Sequence, residues 1–192
     1  MKLAIVLGST RQGRETPKQA KWVLNEASLM SGVTAEVVDL ADYDLPFFDE
    51  AVSPRYNPDR QIDVRVQPWL DRLAEFDAYV FVTAEYNHSI PGVLKNALDY
   101  LTVEMNRKPV AIVSHGSVGG ARAAMHLKEI LSESKAAPIP NAVAISDMSS
   151  LINDEGELSA EAAANPYGPQ TGLRSLLSEL EWYSDALSAA RG

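Results

Sequence analysis

The chain has 192 residues, no cysteine, and 26 acidic against 17 basic side chains, a formal net charge of -9. The lack of cysteine excludes disulfide frameworks, thiolate metal sites and catalytic thiols, and the acidic balance, with Lys and Arg dispersed, argues against nucleic acid or an anionic membrane surface as a partner. No apolar run approaches the roughly 20 residues of a membrane helix, the start MKLAIVLGST makes a poor signal peptide because Arg11 and Arg14 follow its apolar run, and the expectation is one domain over residues 1–192 in the cytoplasm.

The first apolar run, LAIVL at 3–7, reads as a buried strand. The loop LGSTRQGRETP leads from it into a helix with Thr16 as N-cap, Pro17 at the first helical position, an apolar stripe of Ala20, Val23, Leu24 and Ala27, and Gly32 past its end. TAEVVDL at 34–40 is the second strand; an irregular stretch with three prolines, 46–61, then precedes a helix over about Ile62 to Glu75. The third strand, AYVFVT at 78–83, runs into AEYNHSIPGVLKNALDYL, whose Val93, Leu94, Ala97, Leu98 and Leu101 give a helix from near Pro91. PVAIVS at 109–114 is followed by SHGSVGGARAAMHL and a helix from about Gly120 to Ser134, and AVAIS at 142–146 by an irregular segment, 147–171, and a helix from Leu173 to Leu187.

Strand and helix alternating in this way imply a doubly wound α/β sandwich. Continuous apolar runs suit strands covered on both faces, the condition of a parallel sheet. The two irregular segments read equally as solvated loops or as pocket and subunit-contact elements.

Ligands of such sheets bind beyond the carboxyl ends of the strands, where strand order reverses. The loops after strands one, three and four, Gly8–Pro17, Ala84–Gly92 and His115–Gly120, are where glycine and unusual polar residues concentrate. The first loop fails the dinucleotide fingerprint, since position 10 is Thr, and fails the triphosphate-binding loop, since Arg14-Glu15 stand where Lys and a hydroxyl are required. It keeps hydroxyls at Ser9, Thr10 and Thr16 and cations at Arg11 and Arg14, a donor set that suits a monophosphate; solvated surface charge is the other reading of the two arginines, and Arg11, nearer the strand end, is the stronger candidate. Glycines at 116, 119 and 120 let backbone approach a flat ligand. His88 and His115 have no third ligand at a recognisable spacing, so no metal site is expected.

Together GSTRQGR, AEYNHSIPGVLKNALDYL and SHGSVGGARAAMHL resemble the NADPH-dependent FMN reductase family of flavodoxin-like flavoproteins, over residues 2 to about 146. The resemblance implies a five-stranded parallel sheet in the order 2-1-3-4-5 with helices on both faces, bound FMN, NADPH or NADH as co-substrate, a homodimer or homotetramer, and a small-molecule electron acceptor such as a quinone, free flavin, azo compound or metal ion. By it Ser9, Arg11 and Thr16 hold the phosphate, Glu85, Tyr86, Asn87 and His88 line the flavin ring, and His115, Gly116, Ser117, Gly119 and Gly120 border its other edge. The family's proline before Glu-Tyr-Asn is Ala84 here, and residues 14–18 match its phosphate loop loosely. The electron chemistry would then belong to the cofactor, with no side chain acting as acid or base. The alternative of another class is a flavodoxin-like electron carrier whose acidic surface suits basic partners.

Overall fold

Five strands, β1 (Lys2–Leu7), β2 (Thr34–Asp39), β3 (Ala78–Ala84), β4 (Pro109–His115) and β5 (Ala137–Ile145), form one sheet in the order β2-β1-β3-β4-β5 in the computed structural model, which describes residues 1–191. Every neighbouring pair is parallel. The crossovers carry α1 (Thr16–Ala27), α2 (Gln67–Ala74), α3 (Gly92–Asp99) and α4 (Ala121–Glu133), and β5 is followed by two short helices, α5 (Met148–Leu151) and α6 (Ala160–Ala164), and by α7 (Pro169–Arg191). The flavodoxin-like order implied by the resemblance is the one observed.

Side-chain alternation divides the central strands between two cores. Leu3, Ile5, Leu7, Val80, Val82, Ala111 and Val113 pack with Trp22 and Val23 of α1 and Leu173, Leu176 and Leu180 of α7. Val6, Tyr79, Phe81, Val110 and Ile112 pack on the other side with Trp69, Leu94, Leu98 and Leu127 of α2, α3 and α4. The apolar runs of β1, β3 and β4 are accordingly buried on both faces, whereas β2 is an edge strand with Thr34, Glu36 and Val37 exposed. Its sequence is less continuously apolar, as partial cover at the sheet edge permits.

Several boundaries differ from the sequence expectation, each for a local reason. Thr16 is the first helical residue of α1 and Glu15 occupies the N-cap without a side-chain cap bond, so Pro17 falls one position later. α2 begins five residues late because the Asp63 side chain and carbonyl fold residues 63–67 into a turn, accepting from the N–H groups of Arg65, Val66 and Gln67. β5 begins at Ala137, five residues before the expected start, across Pro138 and Pro140; an edge strand tolerates proline because one side of its backbone needs no partner, and the ladder is irregular at Val110 and Ile112. α3 ends at Asp99, short of Leu101, and α7 is longer at both ends than expected.

The irregular segments are ordered against the core. In 46–61 Arg60 is paired with Glu50 at 2.6 Å and Pro54 starts a short 3-10 turn. In 147–171 the antiparallel bridge between Ile152 and Leu158 closes a turn whose Gly156 lies against the backbone of Lys21 and Trp22 on α1.

Candidate functional site

The carboxyl ends of β1, β3 and β4 bring the three expected loops together, and side-chain contacts tie each to the next. From the first loop, buried Ser9 places its Oγ 2.8 Å from the Tyr86 hydroxyl. Arg11, exposed, lies with its guanidinium carbon 5.8 Å from the centre of the Tyr86 ring. The first and second loops therefore share Tyr86.

The second loop is a tight hairpin. Tyr86 and Ser89 exchange backbone hydrogen bonds of 2.9 and 3.1 Å around Asn87 and His88, both left-handed at φ 49° and 69°. Two consecutive positive φ values are what a two-residue turn of this kind requires, and Asn is among the residues that adopt them most readily. The side chains of Asn87 and His88 are exposed at the tip, so Asn87 combines the turn-forming role with availability to a ligand.

Glu85 points away from that tip, toward the third loop. Its side chain is 6% exposed, and its carboxylate accepts from the Arg122 backbone N–H at 3.1 Å and from Arg122 Nε at 2.7 Å. Burial raises the pKa of this carboxyl, but the Arg122 guanidinium and the first backbone N–H groups of α4 more than offset that and hold it below the ordinary value. Glu85 N–H also donates to the His115 carbonyl at 2.8 Å.

The third loop turns on glycines that no other residue replaces. Gly119 and Gly120 both have φ of 74°, and a Cβ on Gly120 would stand 2.8 Å from the His115 carbonyl oxygen and 2.9 Å from its nitrogen. Ser114 Oγ donates to the Gly119 carbonyl at 2.8 Å, fixing the turn to the end of β4. Among the described residues the backbone N–H groups of Ser117 and Val118 have no internal backbone acceptor, and both residues are exposed. Gly116 packs against Glu85, where its missing Cβ would come 3.1 Å from that of Glu85.

Residues 14–19 depart from the sequence reading. Arg14 is neither solvated surface charge nor directed at a ligand: its fork meets Asp39 at the end of β2, with Nη1 2.8 Å from Oδ1, and also reaches the Ser9 carbonyl. Thr16 is completely buried and its Oγ1 has no partner, and on the same helical turn Gln19 is equally buried with Oε1 unpartnered while Nε2 donates to the Ser114 carbonyl at 3.4 Å. His115 Nε2 is buried and unpartnered as well; burial lowers the imidazole pKa, opposed by the charge of Glu15. Gln19, Arg122 and Asp39 were not expected at the site. A polar residue on the same helical face as Ala20 and Val23 was the available signal for Gln19; pairing across loops left none for the other two.

The described residues contain no cluster of acidic or histidine side chains suited to a metal ion, and no helix long and apolar enough to cross a membrane. A groove of about 520 Å³ adjoins the first loop at Thr10 on the β2 side, lined by Leu40, Tyr43, Leu45, Phe47 and Val93.

A profile of NADPH-dependent FMN reductases matches residues 1–149. An NAD(P)H-dependent FMN reductase of Nectria sp is 36% identical over 188 residues, 91% of this chain and 93% of that protein. One from Schizosaccharomyces pombe is 38% identical over 129 residues, and the match spans 64% of its length and 67% of this chain. A quinone reductase of Pseudomonas putida is 31% identical over 168 residues, 81% of this chain and 83% of that one. In fold, the NAD(P)H:(acceptor) oxidoreductase FerB of Paracoccus denitrificans superposes with a TM-score of 0.69 over 98% of this chain and 97% of its own, at 24% identity.

Proposed function

Because the chain belongs to the NADPH-dependent FMN reductase family, we propose that its three loops hold FMN and that it passes electrons from NAD(P)H to a small acceptor such as a quinone, free flavin, azo compound or metal ion. The observation that carries the cofactor reading is the buried Thr16 hydroxyl without a partner on the first turn of α1. A buried hydroxyl left unpaired costs free energy comparable to a lost hydrogen bond, and a phosphate seated on that helix end would supply the acceptor.

The remaining residues fit the same group. Ser9, Arg11 and Thr16 supply the phosphate end, the Tyr86 ring forms a wall held in place by Ser9, and Asn87 and His88 stand at the rim. Gly116, Gly119 and Gly120 let the loop approach a flat ring, whose polar edge would meet the Ser117 and Val118 N–H groups. Glu85 serves differently from a ring contact: it occupies the positive end of α4 and braces the two ring-side loops together. FMN, when bound, supplies the two-electron chemistry, accepting hydride and returning electrons. Exposed N–H donors on the third loop favour added negative charge at the ring, and the exposed side of the Tyr86–Ser89 hairpin leaves room for a donor.

The electron-carrier alternative lacks support, since the named relatives are reductases. Exposed Phe47 and Val93 beside the groove support a homodimer or homotetramer, which light scattering on an eluting peak tests. For the cofactor itself, FMN titration of the apoprotein should give quenching that saturates near one FMN per chain, with riboflavin binding at least tenfold more weakly. Equal affinity for the two would remove the phosphate site.

A further inference from the structure

His115 carries a role beyond bordering the ring. It is the last residue of β4, and alternation along Ala111 and Val113 directs its side chain to the α1 and α7 face, away from the face that Ser114 joins. On that face the first turns of α1 supply Glu15, Thr16 and Gln19. Three buried polar atoms there have no hydrogen-bond partner: Thr16 Oγ1, Gln19 Oε1 and His115 Nε2. Gln19 Nε2 reaches the Ser114 carbonyl, the residue before His115, so helix and strand end are in direct contact.

We propose that His115 couples recognition of the phosphate to proton uptake: its imidazole takes a proton from solvent when the phosphate monoester of FMN seats on the first turn of α1. This rests on the FMN reading above. The seated dianion adjoins Thr16, and its negative charge acts on the partly buried ring as that of Glu15 already does, with less screening than at an exposed site.

Charged groups of the neighbouring elements pair among themselves, Arg174 of α7 with Glu26 of α1 at 2.9 Å. On α1, Lys18 pairs with Glu15 at 3.2 Å and with Asp154 of the 152–158 turn at 2.9 Å. Beside β4, Glu85 and Arg122 neutralise each other, and Asp147 stands beyond the end of β5. Glu15 is the charged group that acts appreciably on His115, and it opposes the lowering by burial only in part. The apoprotein therefore binds fewer protons at His115 than the unfolded chain does near pH 6.5; this contribution to stability is present above that pH and is lost as pH falls through the folded value.

The test is calorimetric titration of the apoprotein with FMN between pH 5.5 and 8, in paired buffers of low and high ionisation enthalpy and free of phosphate. A phosphate monoester itself titrates near pH 6, so the quantity read is the difference in protons exchanged between the native protein and His115→Gln. The expected difference is an uptake of about a third of a proton or more at its maximum, and titration with riboflavin should give none. Glu15→Gln, which keeps the imidazole, should retain the uptake and shift its maximum to lower pH. FMN binding with the same proton exchange in the native protein and in His115→Gln would overturn the proposal and leave the cofactor reading standing. No FMN binding by the native protein would overturn both.

Discussion

Glu85 and Arg122 join the second loop to the start of α4, which α3 and β4 separate from it in the chain, through Arg122 Nε and the Arg122 backbone N–H, each donating to a different oxygen of the same carboxylate. Such charge-assisted bonds contribute about 1.5–3 kcal/mol where a carboxylate is buried, although Arg122 is 41% exposed and the solvent-facing part of the pair counts for less. The pair holds Glu85, the neighbour of Tyr86, against the start of α4, just past the glycine turn.

Glu85→Ala should lower the melting temperature by several degrees, consistent with a loss of about 1–3 kcal/mol, and should weaken FMN binding further than it weakens the fold. The depressed carboxyl also links stability to pH. Its contribution is present above the ordinary value of 4.5 and disappears as pH falls through the lower folded value. Urea midpoints of the native protein and Glu85→Gln, compared from pH 3 to 6, should converge on the acid side; a constant gap would show that the ionised form is not what matters.

Thr16→Val should have opposite effects on fold and ligand. Removing a buried hydroxyl that has no partner leaves the apoprotein as stable as before or more so, while FMN binding weakens about tenfold through the loss of one phosphate contact. Differential scanning of the apoprotein together with FMN and riboflavin titrations checks this. Riboflavin affinity should not change.

Two glycine substitutions separate strain from collision. Gly13 has φ of 67° but nothing within 4 Å of an added Cβ, whereas Gly120, at 74°, would drive Cβ into the backbone of His115. Gly13→Ala should cost about 1 kcal/mol and Gly120→Ala about 2–4 kcal/mol, measured by urea unfolding, with FMN binding lost only in the second.

Arg14→Lys should behave as a loss of function at the first loop despite its conserved charge. A lysine cannot form the two-pronged contact with Asp39 while also reaching the Ser9 carbonyl. Ser9 is thereby released from Tyr86, and FMN should dissociate faster with little change in its spectrum. Stopped-flow displacement gives that rate directly, and an unaltered rate would mean that Arg14 does not position Ser9.

What the sequence made readable was whatever local periodicity encodes. The apolar runs of β1, β3 and β4 and the stripe of α1 specify strands and helix by themselves, and the loops between them fall at the sheet's carboxyl edge by topology. Ser9, Tyr86 and the glycines of the third loop could be expected at the site for that reason. The partners of Glu85 and Arg14 could not, because Arg122 and Asp39 lie in other crossovers and nothing in their spacing records the contact. The first half of β5 was hidden by Pro138 and Pro140, which propensity places outside strands and an edge position admits. Thr16 looked like a cap because Thr before Pro commonly is one; with Glu15 at the N-cap instead, its hydroxyl is left without a partner.

The central claim is that the three loops make a flavin site that turns over a nicotinamide donor. Anaerobic stopped-flow mixing of the FMN-loaded protein with NADPH, followed near 450 nm, tests it most directly. The account predicts bleaching on mixing and recovery of the oxidised spectrum when a quinone is added. A flavin that stays oxidised in excess NADPH and excess NADH, and bleaches only with dithionite, would contradict it.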